Sequence, residues 1–133
     1  IEKVRILGPV RGRTQVEILA GDSFKLGIKP TAKLSGDLDG TPGVTIIGPK
    51  GSVQTKEGVM VAQRHIHMLP EDAARLGVHD GQNVSLEVDG IRGGVLRNTI
   101  VRVTSQSGLE CHVDTEEANA MGLSSSSRVR IVQ

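Results

Sequence analysis

Hydrophobic and polar positions alternate along most of this chain with a period of two. Residues 1–7 alternate before Gly8-Pro9, and residues 14–19 alternate after an Arg-rich turn, Arg11-Gly12-Arg13. The pattern returns at 44–47 before Gly48-Pro49, at 83–88 before Asp89-Gly90, at 100–103 and at 129–132. Side chains alternate between the faces of an extended strand, so short β-branched runs bounded by Gly, Pro and Asp-Gly predict strands joined by turns. The longest expected loop is 35–43. Two segments break the period. Residues 70–76 predict a short helix, with Pro70 first, Glu71 and Asp72 in the opening turn and Gly77 as the stop. Its N-cap, Leu69, lacks a side-chain acceptor. Residues 116–121 predict a second helix, capped by Asp114 or Thr115 and stopped by Gly122; Asp114 and Glu117 have capping-box spacing. The fold class is mainly β: small β-barrels, or a barrel-like sandwich, with short capping helices.

Two sets of positions repeat. At an offset of 40, Val4, Ile6, Gly8, Pro9 and Glu17 match Val44, Ile46, Gly48, Pro49 and Glu57. Separately, His65-Ile66-His67 before the first helix resembles His112-Val113-Asp114 before the second. Each reads as a strand ending in His, an acidic short helix and a Gly stop. These pseudo-repeated corners are expected to face one shared site. A true duplication and the ordinary recurrence of turn residues both account for the matches.

Composition narrows the function classes. The 133 residues carry 16 Lys+Arg against 15 Asp+Glu, and Phe24 is the only aromatic residue. Neither a basic footprint nor a stacking platform for nucleic acid is present. Apolar runs stay far below the ~20 residues of a membrane span, and residues 1–8 lack the apolar core of a signal peptide. Cys111 stands alone, so no intrachain disulfide forms and a reducing, cytoplasmic setting is expected. The glycines fit neither a phosphate-loop nor a dinucleotide fingerprint.

His65-Ile66-His67 is the sharpest chemical signal. Residues i and i+2 of a strand share a face, so two imidazoles project together, and His112 in the repeated corner is the natural third. Three imidazoles with a water-filled position describe a catalytic zinc site; half-buried polar residues on a strand are the plainer alternative. Glu17 shares a face with Gln15. It is either an outward polar residue or a carboxylate ligand, with Arg11 as an anion clamp and Arg5 adding to the same patch. Cys111 faces away from its neighbour His112 and reads as a buried structural thiol. His79 reads as a solvated turn residue.

Residues 6–11 (ILGPVR), 14–17 (TQVE), 24–28 (FKLGI), 35–38 (SGDL), 48–51 (GPKG), 61–68 (VAQRHIHM) and 114–120 (DTEEANA) together resemble the PduL-type phosphate propanoyltransferases, the phosphotransacylases of bacterial propanediol-utilisation microcompartments. The resemblance spans essentially the whole chain. It implies two six-stranded β-barrels with capping helices, residues 1–57 being part of the first barrel with crossover strands and 58–133 the second with two short helices. It implies a short acyl group, propanoyl above all, moving between coenzyme A and inorganic phosphate at a two-zinc site. On that reading His65, His67 and His112 hold one zinc and Glu17 the other. Arg11 contacts phosphate as the catalytic residue, and Arg5, Leu7, His112 and Asn119 line the coenzyme A path.

The family's second H-x-H motif, which would complete the zinc of Glu17, has no counterpart here. The first residue, Ile1, is not Met, and the expectation is a removed or separate N-terminal segment holding that motif. The resemblance also allows a homodimer and enclosure in a microcompartment shell. Two other functions stay open: a non-catalytic zinc-binding β-barrel fragment, and a zinc hydrolase, which would need a general base beside the metal-bound water.

Overall fold

The structure is a computed structural model and describes residues 1–29 and 31–132. It is mainly β, 32% strand against 15% helix, with short helices and a curled half-barrel sheet, as the alternation predicts. The chain divides into two compact units, Ile1–Ala62 and Gln63–Gln133.

In the first unit, β1 (Val16–Glu17) leads to the short helix α1 (Asp22–Leu26) and then to β2 (Ala32–Lys33). Next come the hairpin strands β3 (Thr45–Gly48) and β4 (Gly51–Gln54), and β5 (Val59–Ala62). Strand β5 lies between β1 and β2, parallel to both. Its buried Val59 and Met60, with Leu38, make the small core of this unit. The hairpin is exposed along both strands.

The first predicted strand is not formed. Residues 1–7 are irregular, and Ile6 and Leu7 are 95% and 71% exposed. Alternation alone does not make a strand: its backbone groups need a neighbour, and none among the described residues pairs with this segment. Of the positions matched at offset 40, Ile46 and Gly48 lie on β3 while Ile6 and Gly8 are irregular, and Glu17 lies on β1 while Glu57 lies on no strand, so the two copies do not share a structure.

The second unit is built on one sheet, in the order β10–β7–β8–β6–β9. Its strands are β6 (His65–Met68), β7 (Asn83–Val88), β8 (Gly94–Val103), β9 (Glu110–His112) and β10 (Arg130–Val132), with helices α2 (Pro70–Leu76) and α3 (Thr115–Met121). Strands β9 and β10 are the two edges of this curled sheet, which has five strands among the described residues. Ile66, Met68, Ala73, Val78, Val84, Leu86 and Val101 form the core.

The repeated corners are both present. Strand β6 turns into α2 and β9 into α3, and each helix ends at a left-handed glycine, Gly77 (φ 68°) or Gly122 (φ 66°). The residue after each glycine returns its N–H to the helix, Val78 to Ala73 O at 3.0 Å and Leu123 to Ala118 O at 2.8 Å. Only a residue without Cβ adopts that φ at no steric cost. Helix α1, which the periodicity does not reveal, closes in the same way at Gly27.

Candidate metal centre and anion site

Strand parity builds the centre. Strands β6 and β9 run antiparallel, with His65 opposite His112, Ile66 opposite Cys111 and His67 opposite Glu110. Opposed residues share a face. One face therefore carries His65, His67, His112 and Glu110, while Ile66 and Cys111 point into the core.

The three imidazoles converge, their ring centroids 4.8–4.9 Å apart. Each offers one nitrogen, and the three lie within 4.8 Å of one another. His65 Nε2 and His67 Nε2 are 3.2 Å apart. Two nitrogens bound tetrahedrally at ~2.0–2.1 Å from zinc would be ~3.3 Å apart, so this pair fits a shared ion. The outward nitrogens have partners of their own: His65 Nδ1 meets Gln63 O at 2.8 Å and His67 Nδ1 meets Ser107 Oγ at 3.3 Å. The carbonyl of Gln63 can only accept, so that contact places the proton on His65 Nδ1 and leaves Nε2 as the ligand atom.

Burial, followed by the charges of His65, His112 and Arg102, pushes the His67 pKa below the usual histidine value; Glu110 pulls the other way. His112, at the sheet edge, is exposed and lies 3.3 Å from Glu110 Oε2. A brace holds the two histidine strands. Arg64, just before β6, donates from Nε to Glu117 Oε1 at 2.6 Å, and Glu117 closes the capping box of α3 with Asp114. Gln63 and Arg64 also donate to the carbonyls of Asn98 and Arg97 on β8.

Cys111 sits behind this face. Burial first, then the charge of Glu117, raises its thiol pKa, and Arg64 partly offsets this. It faces the core, as its parity predicts, but is half-buried and packs against the core from the edge strand. His79 is an exposed turn residue bonded to Asp80 O.

In the first unit the structure links two of the predicted residues. Gln15 Nε2 donates to Glu17 Oε1 at 2.7 Å and to Ser35 Oγ at 3.0 Å, and Arg11 Nη1 donates to Ser35 Oγ at 2.9 Å. Arg5 and Leu7 lie on the exposed irregular segment, and Asn119 is exposed on α3. Sequence reasoning missed Glu110, Ser107, Arg64 and Ser35 as neighbours of these sites. Glu110 was within reach of the i, i+2 rule applied to His112.

A family model described as phosphate propanoyltransferase matches residues 1–124. The chain belongs to the phosphate propanoyltransferase family. Similar proteins carry the same name. The one from Rhodobacter capsulatus is 55% identical over 98% of this chain and 61% of its own length. The one from Thermotoga maritima is 49% identical over 100% and 64%, and the one from Listeria monocytogenes 41% over 100% and 62%. The chain thus spans about three fifths of the length of these phosphate propanoyltransferases. Among the described residues no helix is long and apolar enough to cross a membrane.

Proposed function

We propose that this chain carries part of the active site of an enzyme that moves a short acyl group, propanoyl above all, between coenzyme A and inorganic phosphate. The observation that carries the reading is the convergence of His65, His67 and His112 in a chain of this family. His65, His67 and His112 would hold one zinc. Glu17 would contribute to a second, whose histidine pair is not in this chain. Bound zinc supplies a Lewis acid for the thioester carbonyl and for the departing sulfur.

The chain's own residues account for the rest. A phosphate oxygen attacks the thioester carbon, the C–S bond breaks and coenzyme A leaves as thiolate, giving an acyl phosphate. Arg11 presents a planar set of donors to the phosphate and offsets its repulsion from the anionic coenzyme. No enzyme nucleophile is required: the thiol of Cys111 points into the core and is held protonated by burial. Direct transfer is therefore favoured over an acyl-enzyme. Arg5, Leu7, His112 and Asn119 would line the coenzyme path. The setting would be cytoplasmic or inside a microcompartment.

The test is transfer from propanoyl-CoA to phosphate by the full-length protein, with zinc measured in the same sample. Two zincs per full-length protein and phosphate-dependent acyl phosphate formation are expected. Arg11→Ala should lower turnover roughly a hundredfold with zinc retained, about the effect of one lost oxyanion donor. Equal release of coenzyme A with water as sole acceptor would replace this reading with a zinc hydrolase. Zinc binding by the full-length protein without acyl transfer would make it a non-catalytic module.

A further inference from the structure

We infer that Gln15 is a positioning residue that holds Glu17 and, through Ser35, Arg11 in one geometry while keeping their opposite charges apart. This deepens the proposed function and rests on it. The Gln15 carboxamide is engaged at both ends. Its Nε2 donates to Glu17 Oε1 and Ser35 Oγ, and its Oε1 accepts the Gly36 N–H at 2.8 Å. A backbone N–H can only donate, so Gly36 fixes the carboxamide oxygen toward the loop and the NH2 toward Glu17 and Ser35. The contacts join segments 20–24 residues apart, so they report the fold of this unit and not local chain stiffness.

The charge pattern gives the network its purpose. Arg11 and Glu17 are exposed, and among the described residues they form no ion pair with each other. A direct pair would leave the guanidinium less able to take an anion and the carboxylate less able to take a cation. Two neutral groups, a carboxamide and a hydroxyl, instead fix both side chains by dipoles. A free arginine or glutamate gives up rotamer entropy when ordered, and this network orders both before a substrate arrives.

The experiment compares full-length wild type with Gln15→Leu, Gln15→Glu, Ser35→Ala and Arg11→Ala. It measures phosphate KM and kcat separately, zinc affinity by competition with a chromophoric chelator, and thermal stability. Gln15→Leu should weaken the zinc site of Glu17 about tenfold or more, as loss of a ligand's hydrogen-bond partner does, and should raise phosphate KM. Gln15→Glu keeps the shape, puts a carboxylate beside Glu17, and should not rescue. The Ser35→Ala effect on phosphate KM should vanish in an Arg11→Ala background, and that cycle decides the matter if Gln15→Leu does not fold. Normal zinc affinity and phosphate KM in folded Gln15→Leu, with Arg11→Ala impaired, would overturn the inference and leave the function intact. A wild-type enzyme with no phosphate-dependent transfer would overturn both.

Discussion

Burial and neighbouring positive charge keep His67 neutral further into acid than an ordinary histidine. Its folded pKa lies below the unfolded value of ~6.5. The unfolded chain therefore takes up the proton first as pH falls, and the stability held by the neutral ring is full above ~6.5 and lost below it. Metal binding follows the same direction, because only the neutral imidazole is a ligand. Zinc affinity, followed by chelator competition, should stay level near pH 7–8 and fall steadily below about pH 6.5. An affinity unchanged down to pH 5 would remove these imidazoles from the metal site. The H-x-H parity and the shared face of Gln15 and Glu17 were legible because period two fixes them locally. Ser35 and Ser107 were not, since loops from elsewhere in the chain deliver them and no local pattern marks a loop residue as a neighbour of a particular side chain.

The two repeated helices differ at their starts. In α3, Asp114 Oδ1 accepts the Glu117 N–H at 2.7 Å, and Glu117 Oε2 accepts the Asp114 N–H at 3.2 Å. In α2, Leu69 makes no side-chain cap. Asp114→Ala should therefore cost about 1 kcal/mol in denaturant unfolding. It should also loosen Glu117, whose other carboxylate oxygen receives Arg64 ahead of the His65 strand. An unchanged unfolding midpoint would show that the box contributes nothing. Helix α2 and strand β7 were readable end to end from capping and alternation. Helix α1 was not, because its five residues are too few to display a 3.6 period. Residues 1–7 show the reverse case, a clear alternation with no partner strand among the described residues.

The two units differ in what holds them. Ile66, Met68, Leu86 and Val101 give Gln63–Gln133 a continuous aliphatic core behind the histidine face, so an ion bound to that face tightens strands already packed. Ligand that binds only the folded form adds ~2.7 kcal/mol at a hundredfold excess over Kd. Zinc added to this chain should slow amide hydrogen exchange in β6, β8 and β9, and chelation should reverse it. No protection in β6 and β9 would mean that the three imidazoles do not act together. The opposition of His65 to His112 also sets which kind of ion these side chains could hold. A slip of one residue between β6 and β9 would exchange the faces of β9, bringing Cys111 out beside His65 and driving the His112 imidazole into the core. The same amino acids would then offer two nitrogens and a sulfur, a softer donor set suited to more thiophilic ions. The hardness of the donor set is thus decided by strand pairing, which places Ile66 opposite Cys111 on the core side.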